Sequence, residues 1–70
     1  MWIAYLEENE WRKRYINTNV SVGQHTDNKD CYEARWPGYH QEMKRNVWSY
    51  GDEHDTIEEA MAEAMQHINQ

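Results

Sequence analysis

Thr56-Ile-Glu-Glu-Ala-Met-Ala-Glu-Ala64 is the stretch on which the fold turns. Threonine is a favoured N-cap, and Glu59 stands three residues after Thr56, which completes a capping box. Ile57, Ala60, Met61, Ala64, Met65 and Ile68 recur at the spacing that lines one helical face. Glu58, Glu59, Ala62, Glu63 and Gln66 fall opposite or alongside. A helix is therefore expected from Ile57 to about Asn69, with its apolar face laid on something else.

What precedes it supplies that surface. Met1-Trp-Ile-Ala-Tyr-Leu6 is rich in strand formers with apolar side chains on both faces. Such a strand is buried on both sides, or is covered by a helix on one side and a partner on the other. Glu7-Glu8-Asn9-Glu10 is turn-like. Trp11 to Val22 predicts an interrupted strand, with a bulge or turn at Asn17-Thr18-Asn19, forming an extended hairpin with the first. Gln24 to Asp30 is loop-like. Cys31 to Trp36 alternates apolar and charged residues and is expected to stop at Pro37-Gly38. Tyr39 to Trp48 fits a short helix or an edge strand, and Val47-Trp48-Ser49-Tyr50 a final strand before a turn at Gly51-Asp52. The expected class is α+β: a small antiparallel sheet of three or four strands packed against one C-terminal helix, in a single domain over residues 1–70.

With 70 residues, one core supplies little stability on its own. Cys31 is the only cysteine, so no disulfide forms within the chain. Four Trp and five Tyr, with no Phe, suit a small core and also protein interfaces. A second copy of the chain is the expected staple, giving a homodimer. No basic leader precedes the apolar start, and no stretch is long enough to span a bilayer, so a soluble cytoplasmic protein without a membrane partner is expected.

The charge is unevenly placed. Residues 1–45 carry seven Asp or Glu against seven Lys or Arg, whereas residues 46–70 carry six acids and neither base. Helix-dipole stabilisation accounts for Asp55, Glu58 and Glu59. It accounts less well for Asp52 and Glu53 ahead of the helix, or for Glu63, which forms a like-charged i,i+4 pair with Glu59. The functional reading is an acidic face for a basic partner, with Asp52, Glu53, Asp55, Glu58, Glu59 and Glu63 as its residues. A protein that spaces carboxylates like phosphates can occupy a DNA-binding groove.

Other chemistry finds less support. His25, His40, His54 and His67 fall in no catalytic spacing, and Gly23, Gly38 and Gly51 are isolated rather than gathered in a phosphate loop, so no enzyme is expected. Asp52-His54-Asp55 and His25-Asp27-Asp30 lack the ligand number of a zinc or calcium site, so neither metal nor cofactor is expected. Arg12-Lys13-Arg14, flanked by Trp11 and Tyr15, is the one basic run. It suits a solvated strand face, an ion-pair partner for Glu7, Glu8 and Glu10, or a weak nucleic-acid footprint.

Two resemblances bear on these residues. Gly51-Asp-Glu-His-Asp-Thr-Ile-Glu-Glu-Ala-Met-Ala-Glu-Ala-Met65, with Arg35-Trp-Pro-Gly38 before it, is similar to the sheet-to-helix junction of HicB-like antitoxins. That supports a sheet plus a helix, and carries an antitoxin-like alternative function. The whole chain, short, Trp- and Tyr-rich, single-cysteine and dipolar, resembles the small acidic host-takeover proteins of bacteriophages, among them inhibitors of HU-type nucleoid proteins. That resemblance implies a DNA-mimicking dimer in the host cytoplasm, whose acids at 52–63 face the basic DNA-binding arms of a host protein. Inhibition of host RNA polymerase is the companion reading.

Overall fold

Every connection between strands is a reversal, so the sheet is a simple meander. The computed structural model describes residues 1–68. Its elements are β1 (Trp2–Glu7), β2 (Glu10–Tyr15), β3 (Ser21–Gln24), β4 (Tyr32–His40), β5 (Arg45–Tyr50) and α1 (Ile57–Ile68). The five strands lie in the order β1-β2-β3-β4-β5, each antiparallel to its neighbour. The class is α+β, with five strands rather than three or four. The expected helix end at Asn69 lies outside the described residues.

The extra strand comes from the interruption at Asn17-Thr18-Asn19. It is a full turn, not a bulge. Thr18 Oγ1 donates to the Tyr15 carbonyl at 2.8 Å and accepts from the Val20 N–H at 3.1 Å, while Asn17 takes a left-handed φ of 61°. The chain therefore reverses between β2 and β3. The β1–β2 turn is Glu8-Asn9, both left-handed at 51° and 67°, as a two-residue hairpin of type I′ demands.

β4 does not stop at Pro37-Gly38 but runs through them to His40. The ladder explains this. Arg35 pairs with Ser21, the first residue of β3, so no β3 residue lies where the N–H that Pro37 lacks would have donated. On the β5 side Pro37 lies opposite Trp48 without needing its missing N–H. Tyr39 and His40 thus complete β4, and Arg45 begins β5 after a turn at 41–44. The ambiguous segment is a hairpin, not a helix.

Helix α1 packs on β3 and β4. The core is small: Val20, Val22, Ala34, Ala60 and Ala64 are buried, with Trp2, Tyr32, Trp36, Ile57, Met61 and Ile68 packed around them. Trp36 stacks on His67 with ring centroids 3.7 Å apart, which fixes the last turn of the helix to β4. None of the large aromatics is fully buried. Trp11, Tyr39, Trp48 and Tyr50 are exposed. β1 is an edge strand, open to solvent at Ile3, Ala4 and Leu6, rather than a strand covered on both faces.

Arg12 also departs from expectation. It is 3% exposed, folded over Gly23 with its guanidinium donating to Ser21 Oγ at 3.3 Å. A Cβ at position 23 would lie 2.6–2.9 Å from Arg12 atoms, so glycine makes the space. Arg12 is neither a solvated face nor a partner of the β1–β2 turn acids.

Candidate acidic interaction site

In an antiparallel meander alternate connections fall at the same end of the sheet. The β1–β2 turn, the β3–β4 loop and the β5–α1 connection share one end, and the β2–β3 and β4–β5 turns share the other. The first end receives Glu7, Glu8 and Glu10, then Asp27 and Asp30, then Asp52, Glu53 and Asp55, with Glu58 and Glu59 in the first turn of α1. Lys29 is the one Lys or Arg in those connections, and its Nζ pairs with Glu10 Oε1. The opposite end carries Lys44 and Arg45 against one acid, Glu42.

The β5–α1 connection is held in place by three contacts. His54 forms an isolated antiparallel bridge with Tyr32, its N–H donating to the Tyr32 carbonyl at 2.9 Å and its carbonyl accepting from the Tyr32 N–H at 2.8 Å. Glu63, from the second turn of α1, reaches back. Its Oε1 accepts from the Asp52 N–H at 3.0 Å and from His54 Nε2 at 2.7 Å. At Thr56 the hydroxyl donates to Glu59 Oε1 at 3.0 Å and accepts from the Glu59 N–H at 3.2 Å, so cap and acid close on each other.

The six acids singled out from the sequence thus separate by task. Asp52, Glu53, Asp55 and Glu58 are exposed. Glu59 is exposed and also serves the cap. Glu63 is half-buried and committed to Asp52 and His54, which gives this like-charged neighbour of Glu59 a structural task. Removing it has a definite expected result. Glu63→Ala leaves a backbone N–H and an imidazole without their acceptor and should cost about 1–3 kcal/mol in urea unfolding. Gly51→Ala acts on the same contact, since its Cβ would sit 2.5 Å from Glu63 Oε1. The double variant should therefore lose less than the two single losses added. Strict additivity would show that Gly51 and Glu63 are not coupled.

The β3–β4 loop contributes Asp27 and Asp30, which the sequence offered only as weak metal ligands and not as part of the acidic face. His25 Nδ1 accepts from the Asp27 N–H at 3.0 Å, which leaves Nε2 to carry the proton. That nitrogen lies 3.5 Å from both Glu33 Oε2 and Glu53 Oε1, tying the loop to the β5–α1 connection. Glu33 is buried on the helix-free face, and Arg35 Nε lies 3.6 Å from its other oxygen. Cys31 reports how closely the acids gather. Its thiol pKa is raised above the ordinary value, first by desolvation and then by the charges of Glu53, Asp55 and Asp30. A raised pKa means less thiolate at neutral pH. The pH profile of iodoacetamide alkylation should therefore be displaced upward from that of a free cysteine, and Glu53→Gln with Asp55→Asn should bring it part of the way back, since desolvation and Asp30 remain. A profile that the two substitutions do not move would place these acids farther from the thiol.

A different surface lies on the helix-free face. The sheet curls so that Tyr5 and Glu7 of β1, Arg14 of β2, Ser21 of β3, Arg35 of β4 and Trp48 of β5 line one shallow hollow of about 190 Å³. Arg35 is shared there between Glu7, 3.4 Å away, and the ring of Tyr50, whose centroid lies 5.7 Å from the guanidinium carbon. Of the basic run, Arg14 faces this hollow, Arg12 is buried and Lys13 points to the helix side with its ladder partner Val22.

Among the described residues no group of three or more His, Cys, Asp or Glu is placed to hold a metal ion. No described helix is long and apolar enough to cross a membrane. Comparison of the chain with protein families, with curated proteins and with solved structures found no match.

Proposed function

We propose that this chain is a non-catalytic interaction protein whose acidic end occupies the DNA-binding surface of a basic host protein, as a DNA mimic. One observation carries the reading: three separate connections deliver carboxylates to one end of the sheet, where the sole lysine is already paired. Like charges brought together without counter-charges cost stability, and complementary charge on a partner relieves that cost. The field also steers encounter with a cationic surface and competes with DNA for it by the same electrostatics. Asp52, Glu53, Asp55 and Glu58 are the residues best placed for this, and Glu59 and Glu63 contribute charge while holding the connection. A nucleoid protein of the HU type in a phage-infected cytoplasm is the partner class suggested by the resemblance to host-takeover proteins, with host RNA polymerase as the alternative target.

The hollow on the open face supports a second reading. Arg14 beside Tyr5 and Trp48 offers a cation and ring faces to a single strand of nucleic acid, with Arg35 next to it already shared with Glu7. The experiment separating the two is an affinity pull-down from bacterial lysate, with and without nuclease, repeated at high salt. A basic DNA-binding protein retained after nuclease, released by salt and displaced by added DNA supports mimicry. Nucleic acid retained before nuclease, with no protein afterwards, overturns it in favour of the open face.

A further inference from the structure

The free edge of the sheet at β1 is built for a strand. Its hydrogen-bonding pattern follows from the β1–β2 ladder. The Ile16 N–H donates to the Met1 carbonyl at 2.9 Å, and in an antiparallel pair the bonded residues alternate. Met1, Ile3, Tyr5 and Glu7 therefore turn their backbone groups toward β2, and the two-residue turn at Glu8-Asn9 requires the same of Glu7 and Glu10. Trp2, Ala4 and Leu6 turn theirs outward, where none of the described strands meets them.

Natural sheets protect such an edge with lysine, proline, a bulge or a covering loop. From Trp2 to Leu6 the strand has no charge, no proline and an unbroken register, and α1 lies over β3 and β4 instead. Leu6 is 58% exposed, and its ladder partner Trp11 is 67% exposed. The other edge, β5, opens with Arg45 and Asn46.

We propose that two copies of this chain pair through β1, antiparallel, about a two-fold axis at Ala4. In that register Ala4 meets Ala4 of the second copy, and Trp2 meets Leu6 of the second copy. All three outward-facing residues become bonded pairs, and each pair exchanges two hydrogen bonds. The side chains match as well as the backbone. On the helix side Tyr15 and Trp2 continue into Leu6 and Trp11 of the second copy, an unbroken apolar row across four strands. On the other face Ile3 meets Tyr5 of the second copy. No charged side chain falls among these pairs, and Ala4, the smallest, sits on the axis where the two copies approach. The occupant is thus a second copy because the edge complements itself in bonds, shape and charge at one register. The paired sheets place both helices on one face and point the two acidic ends in opposite directions. No residue from Trp2 to Leu6 belongs to the acidic end, so this pairing and the proposed function stand or fall separately.

Sedimentation equilibrium of the full chain tests it. The unaltered protein should be a dimer. Ala4→Pro removes an outward N–H and no bond to β2, so the fold, followed by circular dichroism and urea unfolding, should persist while the dimer dissociation constant rises by at least about 100-fold. Asn46→Pro on the β5 edge should leave it unchanged. In a Cys31→Ser background, Ala4→Cys should form a disulfide-linked dimer under mild oxidation, because facing bonded residues lie within disulfide range. This last variant decides the matter if proline disturbs the strand. A monomeric unaltered protein, an Ala4→Pro protein as dimeric as the parent, or an Ala4→Cys protein that does not cross-link would each overturn the pairing.

Discussion

Replacing Ala34 with leucine should remove most of the stability of the domain. Ala34 on β4 and Ala60 and Ala64 on α1 are fully buried, and among the described residues Val22 on β3 is the only larger side chain buried as completely. Helix and sheet meet over these small residues. Leucine at position 34 inserts three further carbons into a fully buried contact, a kind of change that costs about 1–3 kcal/mol or more. A domain of this size without a disulfide has about 3–5 kcal/mol to lose. Urea unfolding should show a midpoint near zero denaturant or no cooperative transition. Ala64→Leu should act in the same way from the helix side. The exposed Ala62, one position outside the buried stripe, should accept leucine with little change. A loss below about 0.5 kcal/mol at Ala34 would mean that the helix and sheet separate easily, and that the burial seen here contributes little.

The same contact explains which parts of the fold were legible in the sequence. The helix was, because its cap and its apolar spacing lie within a few residues of one another: Thr56 and Glu59 close on each other, and Ala60 and Ala64 are the buried centre of the expected face. β1 was recognisable as a strand but not as an edge, since edge position depends on strands far along the chain. Pro37 looked like a terminator and is not one, because its missing N–H matters only if a neighbouring strand lies opposite, and no β3 residue does. The burial of Arg12 depends on Gly23 in the next strand, a relation no local pattern displays.

The acidic end divides along the same line. Asp52 to Glu63 stood out as a run, so their grouping was visible. Asp27 and Asp30, and the turn acids Glu7, Glu8 and Glu10, join them only through the alternation of turns in a five-strand meander. An expected sheet of three or four strands left that alternation undetermined. Once the interruption at Thr18 is recognised as a turn and residues 39–48 as one further reversal, the β1–β2, β3–β4 and β5–α1 connections fall at the same end.

Neutralising that end should separate stability from function, and the two should move in opposite directions. Asp27→Asn, Asp30→Asn, Asp52→Asn and Glu53→Gln together remove four carboxylates from exposed positions. All four lie outside the first turn of α1, where a negative charge would be favoured by the helix dipole. They also spare Glu59 and Glu63, whose hydrogen bonds hold the connection. Less repulsion among neighbours should leave the melting temperature unchanged or higher, most visibly at low ionic strength, where charges within about 10 Å of one another are poorly screened. Under the proposed function the same protein should lose its steering toward a cationic surface. Association with a purified basic nucleoid protein should slow by about 10- to 1000-fold at low salt, measured by stopped-flow or surface plasmon resonance. The unaltered protein's rate should fall with added salt, and the neutralised protein's rate should depend on salt far less. Arg14→Gln with Arg35→Gln should leave this association intact, since both residues face the opposite surface hollow. If the arginine changes abolish binding while the four neutralised acids do not, the working surface is the curled face of the sheet, and the acidic end is only where the fold collects charge.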